Sequence, residues 1–484
     1  MLFTEPTFLF LFLPVLLALY FLKRPHAAYA NWLLLIASVI FYAKGGGAFT
    51  WLMLGSIAFN YWMAIAVEHV KADSAGRAKS LVAVAVAINL IVLGIFKYAN
   101  FLGDNVNVVI EAFHGSPLRL PRVLLPIGIS FFTFHAISYV VDVYRGDATA
   151  QKSPVHAALY LLLFPQLIAG PIIRYRFIAD QLARRVVSLD DLAEGVRRFV
   201  VGLGKKVLIA NIVAGPADKI FAMPIAELDA GHAWLAVVCY TIQIYFDFSG
   251  YSDMAIGLGR MFGFRFPENF RWPYAAETVQ EFWRRWHISL SAWFRDYLYV
   301  PLGGNRLSIA RTYLNLVVVF FLCGLWHGAS WTFVVWGLLH GAFLVLERLG
   351  LATAVKRLPR VLRHGYLLAT VMLGWVFFRA ETFAQAAAFL RALAGAGIAA
   401  PTALTVSWYW TAELTLALAA GIFGSAPVVP FLQQWFGRRA DAGPARTTAW
   451  GVEALATAAL ALVLVASVMQ MAARSYNPFI YFRF

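Results

Sequence analysis

Charge is scarce in this chain of 484 residues. Asp, Glu, Lys and Arg make up 13% of it, where a soluble domain carries nearer a quarter. So few charges cannot clothe a soluble fold of this length. Cysteine is scarcer still. The chain has two, Cys239 and Cys323, each inside an apolar run. That count excludes a disulfide framework and any Cys-based zinc spacing, and both read as small buried hydrophobes. No polar stretch between apolar runs is long enough for a soluble domain of ~100 residues. The N-terminus carries Glu5 and no Lys or Arg before its first apolar run, and Lys23 and Arg24 follow it. A secretory leader has the reverse pattern, so the first segment reads as an uncleaved span despite Ala28-Tyr29-Ala30. The net charge is +15, but no nucleic-acid motif accompanies it.

What is present is apolar. Hydrophobic residues make up 61% of the chain, and mean hydropathy is +0.69. Apolar runs recur from 8–22 to 452–471, several near the roughly 20 residues a helix needs to cross a bilayer. The expected fold is all-α: one polytopic membrane domain over 1–484 with about 10–12 transmembrane helices. Helices in 1–115 are peripheral, 121–348 forms a core, and helices in 365–472 complete it. Most Lys and Arg fall on one side if the N-terminus faces out: Lys23, Arg24, Lys71, Arg77, Lys79 and those in 145–206, 260–311, 348–363 and 438–446. The net charge then belongs to cytoplasmic loops, whose expected partners are anionic lipid headgroups or a phosphate-bearing ligand.

Within this apolar background the polar residues stand out. From Thr312 to Glu347 there is no Lys, Arg or Asp, yet His327 lies at the centre of Gly324-Leu325-Trp326-His327-Gly328. A titratable group at that depth asks for a reason, and imidazole is suited to general base work. A histidine satisfied by helix packing is the plainer alternative. His340 lacks that flanking motif and reads as packing. Pro126 and Gly128 open one span, while Pro165, Gly170 and Pro171 interrupt another, which predicts a re-entrant or bent segment. Ser188 with Asp190 and Asp191 predicts a capped cytoplasmic surface helix closed by Arg197 and Arg198. Asp247 and Asp253 read as structural, bound to backbone or to nearby Arg. Over 281–299, Phe282, Trp286, Ser289 and Trp293 share a face at helical spacing, with Arg284, Arg285 and Arg295 interleaved. That pattern fits an interfacial helix or a basic mouth for an anionic ligand, with His287 beneath it. Gly303-Gly304 follows as a tight turn.

These strings resemble a known family. Trp283-Arg284-Arg285-Trp286-His287-Ile288-Ser289-Leu290-Ser291, the stretch from Arg295 to Arg306, Gly324 to Gly328, Asp247 to Gly259 and Leu125 to Phe131 are similar to the membrane-bound O-acyltransferases. The likeness is to their bacterial alginate O-acetyltransferase branch. Phe8 to Pro14 and Phe96 to Phe101 fit as well, and the resemblance is strong to about residue 380. It implies helices around a central tunnel in a multi-pass protein of the bacterial inner membrane. His327 corresponds to the family's catalytic histidine, and His287 to one lining the tunnel nearby. The implied donor is acetyl-CoA from the cytoplasm, with no permanently bound cofactor and no metal. The acetyl group would pass outward to periplasmic acetyltransferase partners and then to an exopolysaccharide such as alginate.

The chemistry agrees with the residues. A thioester is already activated, so the site needs a base, an oxyanion partner and exclusion of water. His327 is the expected base. His287 is expected to hold the oxyanion or the thioester, and Arg284, Arg285 and Arg295 to bind the donor. Both histidines are expected in one cavity. A transporter or flippase of a polysaccharide or its lipid-linked precursor would also explain many spans and intramembrane polar groups. However, no inverted repeat relates the halves.

Overall fold

The computed structural model describes residues 1–22, 27–396, 404–428, 431, 445–473 and 480. Lys23, Arg24, Arg438 and Arg439, expected among the inward-facing charges, lie outside these residues, as do 397–403 and most of 429–444 in the expected C-terminal helices. Every regular element among the described residues is helical. Among the described residues, eight helices are long and apolar enough to span a bilayer, and shorter apolar helices occupy Phe8–Leu22, Phe383–Leu393 and Ala412–Gly424. The chain is an all-α, multi-pass membrane protein. Two of the apolar runs, 8–22 and 404–423, fall on these shorter helices, and 123–141 falls on Ile129–Arg145, which is 17 residues long.

Packing divides the chain into two compact units. The first contains Met1–Val196, Ala255–Pro267 and Gly328–Ser330; the second contains the rest. In the first, Phe3, Phe8, Phe41 and Phe164 form one aromatic cluster. Asn60 and Asn89, on Phe49–Asp73 and Ala75–Ala112, exchange amide hydrogen bonds of 3.1 and 2.8 Å. Paired amides satisfy each other where no water is available. Gly128 precedes Ile129–Arg145 with φ +76, and a side-chain carbon there would lie 2.8 Å from the Leu167 carbonyl oxygen. Only glycine suits both demands. The break around Phe164-Pro165 is fully buried, as irregular backbone in an apolar protein must be.

The surface helix expected at 188–198 does not end at Arg198. It runs on through Leu189–Gly204, Lys205–Ala210 and Asn211–Phe221. Ser188 does cap it, accepting the Asp191 N–H at 3.0 Å. Arg198 is therefore not a helix-end charge. It donates to Asp253 at 2.7 Å and to Glu268. Asp253 also meets Lys205 at 2.6 Å, and Asp247 pairs with the buried Lys206 at 2.7 Å while accepting the Ile480 N–H. Both aspartates thus have structural partners, and each unpaired charge would be costly at that depth.

Helices Ile309–His327 and Trp331–Leu346 meet through glycine. A side-chain carbon at Gly337 would collide with the Phe320 carbonyl and lie 3.1 Å from Gly324 Cα. Small residues let membrane helices approach this closely. Replacing Gly337 by Leu should therefore prevent the protein from accumulating as a folded species, read as loss of a monodisperse peak after detergent extraction. A wild-type peak would show that this crossing can open.

Candidate active site

The 281–299 segment is not one helix. It divides into Val279–Arg285 and Ile288–Phe294, with His287 between them at φ +43. A left-handed non-glycine residue persists only where its surroundings impose it. Here they are visible. The Ile288 N–H donates to the Asn269 carbonyl and the Arg271 N–H to the Arg285 carbonyl, both at 2.9 Å. Phe282, Trp286, Ser289 and Trp293 are buried, not interfacial. The first short helix is fixed at its start by Glu347, whose carboxylate accepts the Val279 and Gln280 N–H groups at 2.6 and 2.9 Å.

His287 is fully buried. Asn269 defines its surroundings. The Ser289 N–H and hydroxyl both donate to Asn269 Oδ1, at 3.2 and 2.9 Å, and Asn269 Nδ2 donates to Ser252 at 3.0 Å. The Ser289 N–H can only donate, so the atom it meets is the oxygen of the amide. His287 Nδ1 lies 3.2 Å from that oxygen, so in the neutral ring Nδ1 carries the proton and Nε2 the lone pair. Phe248 meets the imidazole edge-on at 4.6 Å.

His327 ends Ile309–His327 and is 4% exposed. Trp326, Trp336 and Phe378 surround its ring at 4.8, 4.9 and 5.2 Å between centroids. Trp326 also lies 6.1 Å from His287. The two histidines therefore belong to one aromatic cluster, 40 positions apart in sequence.

A cavity of about 450 Å³ lies beside this cluster. Neither histidine lines it. Its walls instead carry Ile288, the residue after His287, and Cys323, one helical turn before His327. The aromatic rings fill the space between, because Trp326 is packed against both imidazoles. Cys323, read from sequence as a packing residue, faces this cavity. Arg284, Arg295 and Arg348 also line it. Arg295 is paired with Asp296 at 2.7 Å, whereas Arg284 and Arg348 have no carboxylate partner among the described residues. Arg285 is absent from the lining and bonds Glu281. Arg348 was legible only as one more inward-facing charge; nothing in its local sequence ties it to 284.

His340, read from sequence as a packing histidine, is fully buried among tryptophans. Trp283 and Trp336 flank it at 5.3 and 5.1 Å.

An all-helical membrane fold thus holds a buried imidazole beside a cavity lined by arginines. The chain belongs to the MBOAT, or membrane-bound O-acyltransferase, family, in its alginate O-acetyltransferase-like branch, and is an acyltransferase; the family pattern matches residues 148–378. It is 44% identical to "Probable alginate O-acetylase AlgI" of Azotobacter vinelandii over 507 residues, covering 100% of both chains. Its identity to the protein of that name in Pseudomonas aeruginosa is 43%, again over 100% of both. The peptidoglycan O-acetyltransferase of Helicobacter pylori is 36% identical across 82% of this chain and 80% of its own.

Proposed function

We propose that this protein transfers acetyl groups from acetyl-CoA, taken at the cytoplasmic face of the bacterial inner membrane, outward for O-acetylation of an exopolysaccharide such as alginate. The immediate recipients would be periplasmic acetyltransferase partners or the polymer itself. The observation that carries this reading is the cavity. It joins an arginine rim suited to phosphates with an apolar wall ending one turn from His327. The names of the full-length relatives support the acetyl group and the polymer.

In this reading Arg284, Arg295 and Arg348 hold the donor's phosphates, and the pantetheine arm runs along the wall that carries Phe320 and Cys323. His327 takes the proton of the incoming hydroxyl as its oxygen attacks the thioester carbon. The carbon–sulfur bond then breaks, and the proton passes to the departing thiolate. The His287 tautomer adds a constraint. Nε2 has no proton to give an oxyanion, so His287 serves by accepting, orienting the hydroxyl through its lone pair. This replaces the oxyanion role expected from sequence.

The test is free-thiol release from acetyl-CoA by purified protein in the presence of partner or polysaccharide. Release by the wild type and none by His327→Ala is the expected outcome; equal release by both would overturn the proposal. Arg284→Gln and Arg348→Gln should each raise KM for acetyl-CoA about tenfold or more, with a smaller change in kcat, since hydrogen bonds to charged groups are the strong ones. Arg285→Gln should leave KM near the wild-type value. Unchanged KM in the first two variants would reduce those arginines to interfacial anchors.

A further inference from the structure

Two buried N–H groups in the second unit have no acceptor. Trp336 Nε1 and His340 Nε2 are both within fully buried side chains and meet no hydrogen-bond partner among the described residues. The proton on His340 Nε2 follows from its other nitrogen. Trp283 Nε1 lies 3.4 Å from His340 Nδ1. An indole nitrogen only donates, so Nδ1 is the acceptor and the neutral ring carries its hydrogen on Nε2. Buried donors are nearly always satisfied, and two exceptions side by side ask for an acceptor.

Both nitrogens lie close to one point. Trp336 and His340 are four residues apart on Trp331–Leu346, hence on the same face. Opposite them is Gly374 of Arg360–Arg379. A side-chain carbon built on Gly374 would lie 3.0 Å from His340 Nε2 and 3.6 Å from Trp336 Nε1. The missing side chain thus leaves a notch floored by glycine and walled by two N–H groups. The notch adjoins the reactive centre. The Trp336 ring is 4.9 Å from His327, and Phe378, one turn beyond Gly374, is 5.2 Å from it. It also adjoins the cavity, through Trp283, which lines the cavity and donates to His340.

We propose that Trp336 and His340 are the donor pair that receives the thioester carbonyl oxygen and stabilises it as it becomes an oxyanion. This rests on the thioester-donor reading above. When the incoming oxygen bonds to the carbonyl carbon, the π pair moves onto the carbonyl oxygen, where two fixed N–H groups meet it. On collapse that pair re-forms the double bond and sulfur leaves with the carbon–sulfur pair. Neither Trp336 nor His340 exchanges a proton. Preorganised donors of this kind act most strongly where water is absent.

The test compares binding of two unreactive donor analogues to detergent-purified protein. One is acetyl-CoA with its sulfur replaced by methylene, which keeps the carbonyl. The other is S-ethyl-CoA, which lacks it. The wild type should favour the ketone, and Trp336→Phe, His340→Phe and Gly374→Ala should each bring the two affinities close to equality. In turnover, each loss of a donor should lower kcat on the order of 10²–10³-fold with KM changed far less, and His340→Gln, whose amide can still donate, should recover part of it. If a variant does not accumulate, the ketone preference in the remaining two decides. A preference undiminished in folded variants would overturn the proposal and leave the notch as the seat of a structural water. Failure of either analogue to bind the wild type would overturn the donor reading itself, and the donor pair with it.

Discussion

His327→Ala removes polymer acetylation while leaving the protein in the membrane. Loss of a general base costs on the order of 10²–10⁴-fold. The loss here should reach the upper end, because the same ring sits in a cage of three aromatic side chains that also exclude water. Alanine leaves a hole among Trp326, Trp336 and Phe378, so part of any loss would come from packing. His327→Gln separates the two effects. It keeps most of the volume and a hydrogen-bonding end, but it cannot take a proton at neutral pH. If His327 is a base, Gln should be as inactive as Ala and should accumulate better. The measurement is acetyl content of exported polymer, normalised to protein in the membrane fraction. Activity in His327→Gln above about a tenth of wild type would remove the base role and return His327 to packing.

Much of this was legible in the sequence, and the rest was not for identifiable reasons. Composition and run length are local properties, so the helical membrane fold followed from them. The family followed from long strings around His287 and His327. Periodicity failed at 281–299. Phe282, Trp286, Ser289 and Trp293 fit one helical face, yet the chain turns sharply at His287. The cause is Asn269, eighteen positions earlier, which no spacing rule connects to it. The helix opened by Ser188 was read too short for a related reason. Arg197 and Arg198 look like a helix end, but Asp253 and Glu268 come from elsewhere to satisfy Arg198 within a continuing helix. Arg348 read only as one more inward-facing charge and His340 only as packing, because their neighbours lie far along the chain: Arg284 on the same cavity wall and Gly374 beside the His340 ring.

His287 and Asn269 should act as one device, and three substitutions distinguish its parts. His287→Ala should lower kcat on the order of 10²-fold or more, since it removes the lone pair that orients the hydroxyl. Asn269→Leu leaves the Ser289 N–H, the Ser289 hydroxyl and the His287 Nδ1 side without their shared acceptor. The ring is then released to the other tautomer, and the left-handed turn loses part of its support. Activity should fall nearly as far as in His287→Ala, with little further loss when the two changes are combined, because both break one unit. Asn269→Asp is the informative variant. A carboxylate keeps the acceptor and therefore the tautomer, but its negative charge favours the imidazolium. The protonated ring has no lone pair at Nε2. The acid limb of the kcat/KM profile should therefore move to higher pH than in wild type, with activity recovered on the alkaline side. The measurement is thiol release across pH 5 to 9 in all three variants. An Asn269→Asp profile superimposed on the wild type, together with a fully active Asn269→Leu, would show that His287 is held by packing alone and that its tautomer carries no catalytic consequence.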